Sequence, residues 1–312
     1  GNNLVAKWNM PLWWIKKVKQ EFGNEDDEIF LINKYHPPMA LRVAYSYKKI
    51  IDLKKELKIN NSKILQTGKN SLCIVPPYDI RTTQAFKSGK VSIQDLSSQK
   101  IVDFIKPKEG SSVLDVCAAP GGKTFAIAAR YRSLNIIASD ISKIRLNKMK
   151  VDMKRQENCL LSKPKFLVAD ISNEKGKRTL LSFVNFGFDY VILDAPCSGS
   201  GVVRRHPEIP WNRSPSQLKK LVKLQSTLLM NSWNLLKPNG ILLYSVCSIF
   251  REEGENQITN FTKLNKSAIK IQSNFLRPTL ENATDSNHYE ADTAYLGSDG
   301  FFYGLVKKLC HS

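Results

Sequence analysis

The sequence predicts an α/β protein in which a parallel sheet, covered by helices, follows a smaller N-terminal α/β module. From Val113 onward, short apolar segments alternate with helix-like segments, and this alternation is typical of right-handed βαβ units. The region before it has its own strand-like and helix-like segments and many lysines. The length of 312 residues suits one large domain and one small one. We therefore divide the chain into residues 1–90 and 91–312.

In the N-terminal module the predicted elements are short. Residues 11–22 have the apolar spacing of a helix with a proline at its start. Residues 47–57 have the pattern of a basic amphipathic helix. Residues 24–28 read as an acidic loop. The predicted strands are 29–32, 39–44 and 71–75.

In the larger region, apolar runs predict five strands, and the helix before the last of them is the clearest one. In that helix Leu218, Leu221, Leu228 and Trp233 repeat at helical spacing. The sequence Lys-Pro-Asn-Gly at 237–240 predicts its end. Residues 262–292 are polar, and we expect a long excursion there before a final hairpin near residues 300–303. The predicted strands are 113–116, 136–139, 166–169, 190–193 and 241–245.

The net charge of +19 favours a polyanionic partner, most plausibly nucleic acid. The alternative is a lysine-rich solvated surface.

The six cysteines contain no Cys-x-x-Cys pair, so neither a zinc site nor a disulfide framework is expected, and reduced cytoplasmic thiols fit better. No apolar stretch reaches about 18 residues and no signal peptide is visible. We expect a cytoplasmic monomer with neither metal nor membrane association, and, because the first residue is Gly, a piece missing upstream.

A loop of small residues follows the strand at 113–116 and opens a helix. Small residues let backbone amides approach a ligand, and a helix N-terminus favours negative charge. The end of the loop resembles a phosphate-binding loop, but that motif requires glycine where Cys117 stands, and we reject it. The loop residues are Cys117, Ala118, Ala119, Pro120, Gly121, Gly122 and Lys123.

Two acidic residues follow the next two predicted strands, Asp140 and Asp170. An acid after the second strand suits the hydroxyl groups of a ribose, although each acid alone is more often a helix cap. With the loop they predict an adenosine pocket in which Asp140 binds the ribose and Asp170 lies on the adenine side. S-adenosylmethionine fits this pocket because nothing in the loop demands a pyrophosphate.

Cys197 and Cys247 each follow an apolar strand, so both are expected at the same edge of the sheet. A lone cysteine is usually a buried small hydrophobe, but two thiols beside a methyl donor suit covalent chemistry on a pyrimidine. A thiolate with a lowered pKa would add to carbon 6 of cytosine, and Lys123 is a candidate for lowering that pKa. Asp194 is suited to the amino edge of the base.

These runs, with residues 299–308, resemble the Sun/Nop family of RNA cytosine-5 methyltransferases over essentially the whole chain. The resemblance is strongest to bacterial enzymes that act on small-subunit (16S) ribosomal RNA, through residues 202–211. It implies a Rossmann-like S-adenosylmethionine-dependent methyltransferase fold and an N-terminal RNA-binding module. It further implies that Cys247 is the nucleophile and that Cys197 assists product release. It places the cofactor against residues 117–123 and against Asp140, Asp170 and Asp194.

Several alternatives stay open beside this resemblance. DNA cytosine methyltransferases attack with the Pro-Cys thiol, which would exchange the roles of the two cysteines. A second hypothesis is that the chain methylates transfer RNA instead of ribosomal RNA. A third is that it is a non-catalytic RNA-binding factor of ribosome assembly. We expect Arg204, Arg205 and the lysines and arginines of residues 1–110 to contact RNA phosphates, and the target base to be flipped into the pocket. Val246, Arg251 and Gly254 depart from the family pattern, and a helical N-terminal domain of the bacterial enzymes is not found in the sequence.

Overall fold

The computed structural model describes residues 3–45, 53, 56–57, 62–184, 186–279 and 297–310. Within these ranges the chain forms a four-stranded antiparallel sheet near the N-terminus and a seven-stranded sheet in the larger region. The predicted α/β architecture with a Rossmann-like sheet is confirmed. The larger sheet is mixed rather than wholly parallel, because two antiparallel strands extend it at one edge.

The chain begins with three helices, α1 (Leu4–Trp8), α2 (Leu12–Phe22) and α3 (Asp26–Ile32). The prediction of a strand at 29–32 was wrong, and the acidic residues predicted as a loop open α3 instead. Three carboxylates lie in its first turn, where the helix dipole favours negative charge. The four apolar residues that follow are too few to distinguish a strand from a buried helix turn.

The N-terminal helices pack against the larger region rather than standing apart. Trp14 is 1% exposed and lies edge-to-face with Phe250 at 5.2 Å between ring centroids. Trp8 stacks on Phe30 at 4.8 Å, and the same apolar cluster includes Val203. This cluster anchors the start of the chain beside the segment that follows Cys247.

The small sheet has the order β2-β3-β1-β4 and is antiparallel throughout. The predicted strands at 39–44 and 71–75 are present, while β2 and β4 were not predicted. The last strand of this sheet lies just beyond residue 90, so the division into 1–90 and 91–312 stays a prediction. Most of the helix predicted at 47–57 lies outside the described residues. The strands are β1 (Met39–Val43), β2 (Lys63–Gly68), β3 (Ser71–Val75) and β4 (Val91–Ile93).

The five predicted parallel strands form the centre of the larger sheet, in the order β9-β8-β5-β6-β7. Apolar clusters cover both faces of β5, β8 and β9, which explains why these strands are almost continuously apolar, whereas β7 lies at the edge and is partly exposed. The chain order reverses between β5 and β8, and such a reversal opens a crevice at the carboxyl ends of the strands. The strands are β5 (Ser112–Asp115), β6 (Asn135–Asp140), β7 (Lys165–Val168), β8 (Phe188–Asp194) and β9 (Leu236–Val246).

Two strands that were not predicted as such complete the sheet, β10 (Ala268–Leu276) and β11 (Phe301–Lys308). β11 lies between β9 and β10 and is antiparallel to both. The polar excursion predicted at 262–292 therefore contains the edge strand β10. Most of its residues are at least partly exposed, so the apolar pattern of a buried strand is missing.

Residues 237–240 do not end the long helix, which stops at Asn234. They lie inside β9 as an irregularity, since Phe188 pairs with Leu236 and Tyr190 pairs with Ile241. The remaining helices are α4 (Gln84–Lys87), α5 (Leu96–Gln99), α6 (Ile101–Phe104), α7 (Gly122–Arg130), α8 (Lys143–Gln156), α9 (Glu174–Leu181), α10 (Ile209–Asn212), α11 (Pro215–Asn234) and α12 (Glu255–Leu264).

Within the described ranges, no helix combines the length and apolar character needed to cross a bilayer. The same ranges contain no group of three or more His, Cys, Asp or Glu residues arranged to hold a metal ion.

Candidate active site

The two cysteines lie side by side at the carboxyl ends of β8 and β9. Asp194 is the last residue of β8 and pairs with Ser245 of β9, so the segments after the two strands leave the sheet at the same level. Cys197 and Cys247 are both half-buried, and their Sγ atoms are 3.3 Å apart. The expectation that both thiols reach one edge of the sheet agrees with this geometry.

The surroundings of Cys197 disfavour loss of its proton. The hydrogen bond with Cys247, followed by burial, raises the pKa of Cys197 well above its usual value, and the charges of Cys247 and Glu253 add to the effect. Each of these causes disfavours the thiolate form of Cys197. The expectation that Lys123 lowers the pKa of the attacking thiol stays a prediction, and in the structure the Lys123 amine pairs with Asp194.

Lys123 and Asp194 form a buried ion pair beside the crevice. Lys123 Nζ lies 2.6 Å from Asp194 Oδ2, and Ser245 Oγ donates to the other carboxylate oxygen at 2.8 Å. The Asp194 side chain remains 33% exposed. A carboxylate has about four acceptor sites, so Asp194 retains acceptor capacity toward a ligand in the crevice.

The loop from Cys117 to Lys123 connects β5 to the N-terminus of α7. Gly121 has φ +107°, and a Cβ there would meet the ring of Phe125 at 2.6 Å. Only glycine combines this backbone conformation with this close packing. The loop therefore passes tightly over Phe125 and presents its remaining residues toward the crevice, where Ala118, Pro120, Gly122 and Lys123 line a cavity.

Asp140 is 2% exposed and holds this loop in place. Its Oδ2 accepts the N–H of Ala119 at 3.2 Å, and its Oδ1 accepts the N–H of Ser142 at 2.9 Å. Arg145 forms an ion pair with Asp140 at 3.5 Å and also donates to the carbonyl of Ala119. Ribose binding by Asp140 stays a prediction, and the structure adds a role in bracing the loop.

Asp170 lies after β7 and organises the turn that leads into α9. It accepts the N–H of Ser172 at 2.9 Å and the side-chain amide of Asn173 at 2.9 Å. Asn173, which Asp170 orients, is the N-cap residue of α9 and accepts the N–H of Gly176. Its place on the adenine side of a cofactor stays a prediction.

The crevice widens into a cavity of about 450 Å³ between the small sheet and the larger one. Ala40 and Gln94 line it from the N-terminal side, and Asp194, Phe301 and Lys123 line it from the catalytic side. The Lys123 ammonium lies 5.4 Å from the centre of the Phe301 ring. A cavity with one aromatic face and a few charged groups is typical of a site for a planar polar ligand.

Asp115, the last residue of β5, also lines this cavity and was missed as a site residue. Thr124 Oγ1 donates to Asp115 Oδ2 at 2.6 Å, while the buried Oδ1 has no hydrogen-bond partner. Burial raises the pKa of Asp115 to about 7. The signal used for Asp140 and Asp194, an acid where a strand ends, applies equally to Asp115.

The loop residues and Asp115 fit the predicted cofactor. S-adenosylmethionine carries a positively charged amino group, and the unpartnered Asp115 oxygen is an acceptor for such a group. The N-terminus of α7 and the close backbone of the loop suit the carboxylate of the same amino-acid tail. Asp194 supplies a second negative charge beside the cavity.

Comparison with known proteins assigns the chain to a family. The family model described as 16S rRNA methyltransferase RsmB/F matches residues 102–307. This chain belongs to that family. A second model, a ferredoxin-like domain of RsmF/B-like methyltransferases, matches residues 10–81. Membership of this methyltransferase family confirms the predicted relationship and S-adenosylmethionine as the cofactor.

Individual relatives agree with this assignment. The chain is 31% identical over 305 residues to ribosomal RNA small subunit methyltransferase B of Yersinia enterocolitica, with 96% of this chain and 66% of the relative covered. It is 33% identical over 302 residues to the protein of the same name from Pasteurella multocida, with 96% and 65% covered. The chain thus spans about two thirds of the length of these relatives.

A solved structure shows the same fold across the whole chain. The methyltransferase homolog protein from Pyrococcus horikoshii is 26% identical, with a TM-score of 0.74, and 98% of this chain and 97% of that one are covered. The small N-terminal sheet and the larger mixed sheet are therefore shared with another methyltransferase homolog.

One expectation about RNA contacts is wrong for this member of the family. The Arg204 side chain is 2% exposed and forms an ion pair with the fully buried Asp299 at 2.8 Å. The Nη2 atom of Arg204 donates to the carbonyl of Gly297. Arg205 is 25% exposed and reaches both Asp299 and Asp95. Arg204 is therefore a structural residue that RNA phosphates do not reach.

Proposed function

We propose that the chain transfers a methyl group from S-adenosylmethionine to carbon 5 of a cytosine in RNA, with 16S ribosomal RNA as the substrate. The observation that carries the proposal is the pair of thiols 3.3 Å apart at the edge of a methyltransferase sheet. Two adjacent thiols suit a reaction in which one forms a covalent adduct and the other removes a proton. The names of the relatives and the positive charge of the chain support ribosomal RNA.

Cys247 is the nucleophile in this proposal. Its Sγ adds to carbon 6 of the cytosine, and the electron pair of the 5,6 double bond becomes available at carbon 5. The raised pKa of Cys197 keeps Cys197 a thiol at the start. Cys247, which the family resemblance makes the nucleophile, gives its proton to solvent as it attacks. S-adenosylmethionine, when bound, supplies the electrophilic methyl group that carbon 5 accepts.

Release requires a base near carbon 5. The base takes the carbon 5 proton, the electron pair of that C–H bond restores the double bond, and the bond between carbon 6 and Cys247 breaks. The contact between Cys197 and Cys247 supports Cys197 as this base. Cys197 first gives its own proton to solvent, and as a thiolate it then takes the carbon 5 proton while Cys247 leaves as a thiolate. Asp194 accepts a hydrogen bond from the cytosine amino group and so orients the base.

Replacement of Cys197 provides the test. We expect Cys197→Ala, incubated with S-adenosylmethionine and transcribed 16S RNA, to accumulate a protein–RNA adduct that survives a denaturing gel, because addition and methyl transfer proceed without release. Cys247→Ala is the matched control and should form no adduct. An adduct with Cys247→Ala and none with Cys197→Ala would reverse the two roles, and no adduct with either variant contradicts the covalent mechanism on this RNA.

A further inference from the structure

Glu253 is a completely buried carboxylate close to the two thiols. Its exposed fraction is 0%, and the ion pairs found within the described ranges do not include it. A carboxylate in such a place is costly unless hydrogen-bond donors replace water. The donors that surround Glu253 therefore identify the segments of the chain that it holds together.

Those donors come from the residues that directly follow the two cysteines. On the Cys197 side, Ser198 gives Glu253 two hydrogen bonds, one from its backbone N–H at 2.8 Å and one from its hydroxyl. On the Cys247 side, the Ser248 hydroxyl donates at 2.6 Å. One carboxylate thus joins the backbone after the first thiol to the backbone after the second.

Further bonds make this connection rigid. Gln225 of α11 donates to Glu253 at 3.0 Å and to the carbonyl of Pro196, just before Cys197, at 2.9 Å. The hydroxyls of Ser200 and Ser248 are 2.8 Å apart, and the N–H of Gly201 donates to the carbonyl of Cys247 at 3.0 Å. A fully satisfied buried network of this kind holds its members in one arrangement.

We propose that Glu253 is a positioning residue that fixes the Cys197 and Cys247 loops against each other and so sets which of the two sulfur atoms attacks. The proposal rests on the proposed function, since it assigns unequal tasks to the two thiols. The negative charge of Glu253 is among the causes that raise the pKa of Cys197. Through this charge and through the serine bonds, Glu253 favours Cys247 as the attacking sulfur without touching the substrate.

The test uses Glu253→Gln and needs neither RNA nor cofactor. Both cysteines are alkylated with iodoacetamide at several pH values, and each labelled peptide is quantified by mass spectrometry. In the native chain we expect Cys247 to react ahead of Cys197. In Glu253→Gln we expect the rate of Cys197 relative to Cys247 to rise about tenfold at pH 7.5, the change in thiolate fraction that one pKa unit produces.

Two control variants separate the effect of the Glu253 charge from the effect of its side-chain length. Glu255→Gln removes a carboxylate from an exposed position two residues away and should leave the native alkylation order unchanged. Glu253→Asp retains the charge but shortens the side chain, so we expect it to keep the alkylation order and to lower the single-turnover methylation rate. An alkylation ratio in Glu253→Gln equal to the native ratio overturns the proposal.

If Glu253→Gln does not fold, Ser248→Ala supplies a second measurement. It removes one donor from the network and leaves the carboxylate in place, and we expect single-turnover methylation to fall about tenfold while S-adenosylmethionine binding stays native. A native rate in Ser248→Ala overturns the proposal. Because alkylation is independent of RNA, its failure is distinct from a failure of the adduct test, which concerns the proposed function itself.

Discussion

At the scale of single residues, Asp115 shows how burial prepares a group for a ligand. One oxygen is bonded to Thr124 and the other has no partner. With a pKa of about 7, the folded chain holds a proton on Asp115 over a pH range in which an unfolded chain has lost it. The stability from that proton is fully present below the unfolded pKa of about 4 and is lost as pH rises through 7.

A cationic ligand beside Asp115 changes this balance. The positive amino group of S-adenosylmethionine would favour the charged carboxylate, so binding near pH 6.5 should release a proton and should strengthen as pH rises through 7. We expect Asp115→Asn to bind the cofactor more weakly at pH 8 and to lose this pH dependence. Calorimetry in two buffers of different ionisation enthalpy measures both the affinity and the proton released.

Asp103→Asn is the matched control for Asp115→Asn. The Asp103 side chain is 67% exposed and pairs with Arg130, away from the cavity. Its replacement should leave cofactor affinity and proton release at native values. Proton release that persists in Asp115→Asn would show that another group responds to the cofactor.

At the scale of elements, the active-site edge depends on a close crossing of two loops. Gly201 lies in the turn after Cys197. Its N–H donates to the carbonyl of Cys247 at 3.0 Å, and its carbonyl accepts the N–H of Gly300 at 2.8 Å. A Cβ on Gly201 would lie 1.9 Å from the carbonyl oxygen of Gly300. Gly300 directly precedes β11, which pairs with β9, the strand that ends just before Cys247.

This crossing predicts a specific sensitivity. Gly201→Ala must push the start of β11 away from the Cys197 loop, and we expect a loss of about 2–3 kcal/mol in the free energy of unfolding, as for overpacked cores. Methylation should fall as well, because the spacing of the thiols depends on the same loop. Urea unfolding and single-turnover rates measure the two effects.

Gly68→Ala provides the comparison for Gly201→Ala. The nearest atom to a Cβ at Gly68 is the Ser71 Cβ at 3.3 Å, in a strand pair remote from the thiols. We expect a loss well below that of Gly201→Ala and no change in methylation. Equal losses in the two variants would mean that the crossing tolerates a methyl group.

The same elements show what the sequence alone reveals. The central parallel strands were predicted because burial on both faces makes them almost continuously apolar, and the acids and cysteines that follow strands of the sheet therefore marked the site. Strand β10 escaped prediction because its exposed edge has no apolar pattern. Helix α3 escaped because Ile29-Phe30-Leu31-Ile32 is as apolar as a short strand. Glu253 gave no signal, since its importance comes from Ser198 and Gln225, which only the fold brings to it.

At the scale of the whole molecule, one buried ion-pair network joins three distant parts of the chain. Asp299, which is fully buried, binds Arg204 and Arg205. Arg205 continues to Asp95 at 3.0 Å and to the carbonyl of Pro38 at 3.2 Å. The network therefore links the N-terminal module, the turn after Cys197 and the start of β11 around the 450 Å³ cavity.

Removal of the Asp299 charge should weaken the packing between the three parts of the chain that the network joins. We expect Asp299→Asn to lose about 3–5 kcal/mol in the free energy of unfolding, because the buried Arg204 guanidinium would lose its only carboxylate partner among the described ion pairs. Asp27→Asn breaks an exposed ion pair with Lys7 at 3.7 Å and should cost less than about 1 kcal/mol. Urea unfolding gives both values.

RNA binding distinguishes this structural role from the phosphate contact that the sequence suggested for Arg204. If the network is structural, Arg204→Ala should lose stability as Asp299→Asn does, while the dependence of RNA affinity on salt keeps its native slope. A phosphate contact at Arg204 would instead lower the magnitude of that slope by about 0.7–0.9 with little change in unfolding. Titrations of RNA at several salt concentrations, performed below the unfolding range of the variant, decide between the two.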